Sequence, residues 1–451
     1  MITNSKNTPA ILISAPNSGS GKTIITSIIL NALIKKGLKI CAYKTGCDYL
    51  DTKILKFHSK SEVYNLDTWL MNKESVLELF KKTSTGKDIA VIEGAMGLYD
   101  GGKFSSSEIA KLLKVPVILV MNVKSMGESA AALALGFKNY DSEIKIAGVI
   151  LNCVGSESHG KLISKVLYEK GIEILGILKR SEDLKIPSRH LGLIPLNENE
   201  NTESLNKFES CINIDEILKI AYSNTEKILS ENSQQRHNKI YKSKKISLGI
   251  AYDEAFSFYY SESLEALKNH GIDLKFFSPI RDSKIPEANG YFFGGGYPEI
   301  YAEELSGNIT FKNEIKKAYE SGKIIFAECG GFMYLSNTIE NLKGEKFQMT
   351  GIIKSDSIMS ERPVIGYVEA KALKKNFLCS EGSIIRGHEF HFSRMITDFK
   401  FENNAFEITR RSTGDIWYGG FSEKNILASY LHINFWGNEN LIENFKNALQ
   451  N

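Results

Sequence analysis

The chain has 451 residues, more than one hydrophobic core usually organises, so two or three domains are expected. Hydrophobic residues make up 42% and charged residues 24%, a balance that excludes wholesale disorder and a membrane bundle. Lys+Arg 56 against Asp+Glu 53 leaves +3, so no bulk field marks a polyanion partner, and no local patch has the density a nucleic-acid role would need.

Met1 to Pro9 is polar, and the apolar run behind it, Ala10 to Ile13, is strand-sized and too short for a signal-peptide core. No stretch approaches the roughly 18 consecutive apolar residues of a membrane helix. The cysteines (Cys41, Cys47, Cys153, Cys211, Cys329, Cys379) lack metal-ligand or paired spacing, which suits free thiols in a reducing compartment. A cytoplasmic location, with no membrane and no nucleic-acid partner, is the expectation.

The first half alternates β-rich runs with helix-period runs, the pattern of a parallel sheet covered on both faces. Strands are expected at Ala10–Ser14, Leu38–Tyr43, Asp88–Ile92, Val115–Met121, Ile146–Leu151 and Leu191–Pro195. Between the first two, Ile25, Ile28, Ile29, Ala32 and Leu33 fall at helical spacing and Gly37 supplies a stop, which makes a βαβ unit. From Asn197 the composition turns to Asn, Glu, Ser and Lys, with one helix signal: Asn213 as cap, then Ile214, Ile217, Leu218 and Ala221 as a stripe. The polar, basic Glu231–Lys245 lacks interleaved aromatics and reads as a solvated linker. The β/α alternation restarts with Ile246–Tyr252, Leu274–Phe277, Tyr291–Phe293 and Lys323–Ala327. The expected fold class is therefore α/β, with two open α/β domains at 1–196 and 246–451 joined by a polar segment, 197–245.

Ala15-Pro-Asn-Ser-Gly-Ser-Gly-Lys-Thr23 stands between the first strand and the first helix, where a phosphate-binding loop belongs. Ser18, Gly19, Ser20 and Gly21 would turn backbone N–H groups toward phosphate, Lys22 would reach the β/γ-phosphates, and the Thr23 hydroxyl would hold Mg²⁺. The usual leading glycine is replaced by Ala15 and Pro16. Magnesium needs hard oxygen ligands nearby. Lys44-Thr-Gly-Cys-Asp-Tyr-Leu-Asp51 and Glu93-Gly-Ala-Met-Gly-Leu-Tyr-Asp-Gly101 supply them at strand C-termini, where ligands collect in open α/β sheets. Asp48, Asp51, Asp100 and Glu93 are the candidate carboxylates beside Thr23, the division of roles among them being open. The competing reading of each Asp is a turn or cap.

In the second half, Lys323-Ile-Ile-Phe-Ala-Glu-Cys-Gly-Gly-Phe-Met-Tyr334 reads as strand, sharp turn, helix, with Cys329 at the apex of a nucleophile elbow. The Gly330 N–H would help hold an oxyanion, and Gly294-Gly-Gly296, with Gly295 at its centre, would bring a second donor. A thiolate wants a histidine nearby in space; His432, in Ser429-Tyr-Leu-His-Ile-Asn434, is the candidate base, with His388 and His391 as rivals. The dense charge of Arg386-Gly-His-Glu-Phe-His-Phe-Ser-Arg394 suggests for His388 and His391 recognition of an acidic substrate or a domain-interface network, against a solvated strand edge; His388 is taken as the substrate-binding candidate. A phosphate loop and a thiol elbow in one chain fit an acceptor activated by ATP and a nitrogen donor opened by the thiol, with glutamine the natural donor.

These motifs resemble the cobyrinate a,c-diamide synthase family over essentially the whole chain: Ser-Gly-Ser-Gly-Lys-Thr (18–23), Gly-Cys-Asp-Tyr-Leu-Asp (46–51), Asn-Leu-Asp-Thr-Trp (65–69), Glu-Gly-Ala-Met-Gly-Leu-Tyr-Asp-Gly (93–101), Arg-His-Leu-Gly-Leu (189–193), Phe-Gly-Gly-Gly-Tyr-Pro-Glu (293–299), Ala-Glu-Cys-Gly-Gly (327–331) and Arg-Gly-His-Glu-Phe-His (386–391). The resemblance implies a P-loop, dethiobiotin-synthetase-like domain followed by a class I glutamine amidotransferase-like domain. It implies a glutamyl thioester on Cys329 with His432 as base. ATP with Mg²⁺ would then activate the a and c acetate carboxylates of cobyrinate, a tetrapyrrole, as acyl phosphates in cobalamin biosynthesis. The resemblance assigns Asp48 and Glu93, with Thr23, to the metal and Asp51 and Asp100 to substrate, the division among these carboxylates being open. Cys47 and Thr52 stand where the family often has prolines, Leu55 where it often has a histidine, and Asn434 where many class I glutaminases carry a triad Glu. Cys329 and His432 are thus expected as a dyad. Alternatives are a nickel-sirohydrochlorin a,c-diamide synthase of coenzyme F430 assembly and, from another class, a partition-type ATPase switch, in which the thiol elbow has no use. A cobyric acid synthase fits less well, because its phosphate loop usually differs. A homodimer is the expected assembly.

Overall fold

The computed structural model describes residues 8–184, 205–223 and 246–450, which form two compact units: residues 8–68, 72–184 and 205–223 in the first, 69–71 and 246–450 in the second. Among the described residues no helix is long and apolar enough to cross a membrane.

Unit 1 runs β1 (Ala10–Ser14), α1 (Lys22–Lys35), β2 (Ile40–Thr45), α2 (Leu50–Ser59), β3 (Val63–Leu66), α3 (Lys73–Ser84), β4 (Ile89–Glu93), α4 (Ser106–Leu113), β5 (Val117–Asn122), α5 (Ser129–Tyr140), β6 (Ile146–Val154), α6 (Glu157–Glu169), β7 (Ile174–Lys179) and α7 (Ile214–Tyr222). The strands form one parallel sheet in the order β3-β2-β4-β1-β5-β6-β7. Strands sandwiched between two helical layers need apolar side chains on both faces, which is why β1, β4 and β5 read as continuous apolar runs. Ile11 and Ile13 pack with Ile25, Ile28 and Leu33 of α1 on one face; Leu119, Met121, Val149 and Leu151 pack with Ala130, Ala134 and Ile163 on the other.

Two strands escape the sequence reading. β3 is only four residues with a polar Asn65 at its centre, and β7 alternates buried with exposed positions, as the outermost strand opposite β3. The expected strand Leu191–Pro195, the 189–193 motif and the basic Glu231–Lys245 stretch lie outside the described residues. A correction concerns α7. Asn213 caps it as expected, its side chain accepting from Glu216 N. Instead of standing in a linker, however, the helix packs on β1, β7 and α1. Ile212 bridges Gly176, and Ile212, Ile214, Ile217 and Ala221 join the core of unit 1. The shift to polar composition at Asn197 therefore does not end this unit.

Unit 2 contains β8 (Ile246–Ala251), β9 (Phe256–Phe258), α8 (Ser261–Asn269), β10 (Ile272–Phe277), β11 (Gly290–Phe293), β12 (Gly295–Gly296), α9 (Ala302–Gly307), α10 (Ile309–Glu320), β13 (Ile324–Glu328) and α11 (Gly330–Leu335). There follow β14 (Thr338–Glu340), β15 (Lys346–Gln348), β16 (Ser355–Ala372), β17 (Ile384–Thr397), β18 (Phe406–Arg410), β19 (Ile416–Gly419), β20 (Phe421–Glu423), β21 (Ile426–Ser429), β22 (His432–Ile433) and α12 (Glu439–Gln450). The expected open α/β sheet is present as β10-β8-β11-β13-β21-β20, parallel except for the β20 edge. A second sheet, mostly antiparallel, is built on the long pair β16 and β17 and carries β22 on its edge, where His388 pairs with His432.

Candidate active sites

The phosphate loop of unit 1 leaves β1 and enters α1 through Gly21, whose φ of +92° places it in the left-handed region; Gly19 stands at +77°. A Cβ on Gly21 would lie 2.3 Å from Asn152 Nδ2, and that amide holds the loop by donating to Ser20 O at 2.9 Å. Ser20 Oγ ties back to Asn17 O (3.0 Å), while Ser18 and Gly19 are exposed at the tip. Lys22 donates to Met96 O at 2.5 Å, in the loop after β4. Burial and the neighbouring Lys44 pull the Lys22 ammonium below the usual lysine range, against Glu93, Asp51 and Asp100.

Glu93 ends β4 fully buried. Its Oε1 accepts from Thr23 Oγ1 at 2.9 Å and from Lys44 Nζ at 2.6 Å, while among the described residues Oε2 has no hydrogen-bond partner. Lys44 also donates to Asp51 Oδ2 at 2.7 Å. Burial alone would lower the Lys44 ammonium, but Glu93, Asp51 and Asp48 outweigh it and hold the lysine charged. Burial raises the Glu93 carboxyl, with Lys44 opposing. Asp48 is pushed up to about 6 by burial and by Asp51.

Thus Lys22, Thr23, Glu93 and Asp51 form one constellation, to which Lys44 is an addition that motif spacing did not single out. Its signal was a lysine inside an otherwise apolar strand, Ile40-Cys-Ala-Tyr-Lys-Thr45. Asp48 and Asp100 show turn geometry. Asp48 Oδ1 accepts from Leu50 N and Asp51 N (2.8 Å each) at the start of α2, and Asp100 Oδ2 accepts from Gly97 N at 2.9 Å. No group of three or more His, Cys, Asp or Glu among the described residues could hold a metal alone. The Thr23 hydroxyl and the spare Glu93 oxygen nevertheless fit magnesium, which takes few protein oxygens and keeps water and phosphate ligands.

In unit 2, Cys329 sits between β13 and α11 with φ +46° and ψ −101°. Such a conformation costs a non-glycine residue on the order of 1–3 kcal/mol and persists only where its surroundings over-determine it. Here Cys329 N donates to Ser429 O at 2.7 Å and Gly331 N to Gly294 O at 3.0 Å. A Cβ on Gly331 would lie 2.2 Å from Phe293 O, so the turn closes only with glycine there. The thiol is 4% exposed and donates to Phe390 O at 3.6 Å. Burial, then Glu299, raises its pKa, so the resting group is a thiol.

His432 follows β21, the strand beside β13, and is fully buried. Gly295 backs onto its ring: a Cβ there would lie 2.5 Å from His432 Cε1. Gly330 lies against Gly296, with Gly296 N 3.1 Å from where its Cβ would be. The structure thus gathers Cys329, Gly330, Gly295 and His432 at the ends of neighbouring strands. Burial, then His388, lowers the His432 imidazole well below the ordinary range.

His388 departs from its expected setting. It is 2% exposed, stacks on His432 with ring centroids 4.8 Å apart, and shares a hydrogen bond with Tyr260 Oη (3.1 Å). Burial lowers it to about 3, and it belongs to unit 2. Glu328, which sequence reasoning passed over, places Oε2 3.8 Å from His432 Nδ1.

Residues 11–194 match the family described as the CobQ/CobB/MinD/ParA nucleotide binding domain, and residues 247–440 match the CobB/CobQ-like glutamine amidotransferase domain. The cobyrinate a,c-diamide synthase of Caldanaerobacter subterraneus subsp. tengcongensis is 40% identical over 437 residues, covering 94% of this chain and 95% of that relative. The enzymes of the same name from Picrophilus torridus (38% identical, covering 98% of this chain and 99% of the relative) and Dehalococcoides mccartyi strain CBDB1 (39%, 97% and 98%) are similar. With both halves matched and full-length likeness at this level, the chain belongs to the cobyrinate a,c-diamide synthase family: it is a glutamine-dependent amidotransferase, a carbon–nitrogen ligase of corrinoid biosynthesis.

Proposed function

We propose that the chain amidates the a and c acetate carboxylates of cobyrinate through acyl phosphates, with glutamine as nitrogen donor. His432 takes the Cys329 proton as sulfur attacks the glutamine amide carbon, while Gly330 and Gly295 N–H groups hold the oxyanion. The imidazolium returns that proton to the departing nitrogen, ammonia leaves, and water cleaves the glutamyl thioester to glutamate. At the phosphate loop, Ser18 to Gly21 offer backbone N–H groups and Lys22 a charge to the phosphates of ATP. The substrate carboxylate attacks the γ-phosphorus and ADP leaves; ammonia then displaces inorganic phosphate to form the amide. Thr23 and Glu93 would hold Mg²⁺, whose charge would offset that of the phosphates; Asp48 is a second candidate ligand. Asp51 and Asp100 align the accepting carboxylate.

The observation that carries this reading is the pairing, in one chain, of a strained thiol elbow against His432 with a phosphate loop whose Lys22, Thr23 and Glu93 converge. Purified protein given ATP, Mg²⁺ and glutamine should add two amides to cobyrinate, counted by mass, and Cys329→Ala should need free ammonia to do so. Two amides on nickel-sirohydrochlorin and none on cobyrinate would replace the substrate and leave the chemistry intact. ATP hydrolysis with no amide on either macrocycle would instead favour the switch. The substrate partner is a small tetrapyrrole.

A further inference from the structure

A histidine that accepts a proton from a thiol works best when its other nitrogen is held by an acid, which selects the tautomer and steadies the imidazolium. At position 434, where a triad glutamate is common, this chain has asparagine, and that side chain is fully engaged elsewhere. Asn434 Nδ2 donates to Glu262 Oε1 (2.8 Å), and Oδ1 accepts from Trp436 N (2.8 Å) and Ser263 Oγ (3.2 Å), so it braces α8 rather than facing the base.

We infer that Glu328, the residue immediately before the nucleophile, is the positioning carboxylate of His432. Its Oε1 is anchored by Ile433 N at 3.0 Å, which turns Oε2 toward His432 Nδ1 at 3.8 Å, within ion-pair reach. Both side chains are buried, at 4% and 0% exposure. The register explains why the geometry is available: Glu328 lies opposite Ser429 in the β13–β21 pair, three residues before His432. Among the described residues, the neighbouring groups are engaged as follows. His388 stacks on one face of the ring, His391 stacks on Tyr430, and the Glu389 carboxylate lies 3.8 Å from His391 Nε2. With Nδ1–H directed at Glu328, Nε2 is left to take the thiol proton, and the carboxylate faces the positive charge that then forms on the ring. Placing the acid next to the nucleophile in sequence makes one strand end carry both.

This inference rests on the reading of His432 as the base, so four variants are compared, with thermal melting and near-UV circular dichroism reporting that unit 2 is folded in each. Burial raises the Glu328 carboxyl well above the usual carboxylate range, against the Ile433 hydrogen bond; Glu328→Gln keeps that hydrogen bond and removes the ionisable group. It should lower glutaminase kcat by about 10²-fold, the low end of what a positioned acid–base group contributes, with KM for glutamine changed less than about twofold. Glu328→Asp should recover part of the loss, and the pH profile of Cys329 alkylation by iodoacetamide should move upward in Glu328→Gln. A Glu328→Gln enzyme with native kcat and an unmoved alkylation profile overturns the inference. If Glu328→Gln does not fold, a native kcat in a folded Glu328→Met together with an unmoved alkylation profile overturns it equally. Full glutaminase activity in His432→Asn would instead remove the base assignment itself, a distinguishable failure.

Discussion

Lys44 Nζ lies 2.6 Å from Glu93 Oε1, and neither side chain is more than 2% exposed. A buried ion pair of this kind is favourable only while both partners remain, because the loss of one leaves the other charge without compensation. Lys44 also answers Asp51 at 2.7 Å, so two carboxylates beside the phosphate loop share this cation.

Lys44→Met should therefore destabilise unit 1 by about 3–5 kcal/mol, the scale for breaking a buried pair. A urea titration followed by circular dichroism checks this; an unchanged midpoint would contradict the assignment. The variant should also weaken ATP binding, since Glu93 is then driven toward its protonated form.

Lys22→Ala tests the loop more directly. Its ammonium stands among Glu93, Asp51 and Asp100 with its hydrogen bond on Met96 O. ATP-dependent amidation should fall by about 10²-fold or more, as when one electrostatic donor is removed from a reacting centre. Hydrolysis of glutamine at Cys329 should persist, measured as glutamate release.

Gly295→Ala places a methyl group where His432 Cε1 now sits 2.5 Å away and Phe258 Cβ 3.3 Å away. The imidazole must move, and a displacement near 1 Å at a catalytic group costs about 10²-fold. Glutaminase activity should drop on that scale while ammonia-driven amidation stays near the native rate.

His58 makes a pH prediction. It is 3% exposed, shares a hydrogen bond with Asn31 Oδ1 at 3.2 Å, and burial lowers it from 6.5 to about 4. Between those values the unfolded chain binds the proton and the folded one does not, so acid favours unfolding. This contribution to stability is present above about pH 6.5 and is lost progressively as pH falls toward 4. Melting temperatures at pH 7.5 and 5 should converge more in His58→Gln than in the native protein; an equal acid sensitivity would refute the assignment.

The parts of this molecule legible in the sequence are those where one short stretch carries its own geometry. Ser18 to Thr23 and the Ala327 to Gly331 elbow each join a strand to a helix through glycines, and a local pattern suffices to place them. Lys44 and Glu328 were not legible as site residues, because their meaning lies in partners 49 and 104 positions away, Glu93 and His432, supplied only by strand register. Asp48 and Asp100 show the opposite problem: an Asp beside a helix start or a glycine looks the same whether it holds a turn or a ligand, and here both accept turn hydrogen bonds while Asp48 stands near Lys44 and Asp100 near Lys22. The antiparallel layer of β16 and β17 was missed because its side chains alternate between buried and exposed over long spans without punctuation, with a bulge between Met359 and Val364 that breaks the period.

The docking of α7 has a practical corollary for anyone wishing to produce the nucleotide-binding half alone. A gene fragment stopped at codon 196 would omit Ile212, Ile214, Ile217 and Ala221 and leave the apolar flank of α1 and β7 wet and adhesive. Carried through Tyr222, the same fragment would seal that flank with its own chain.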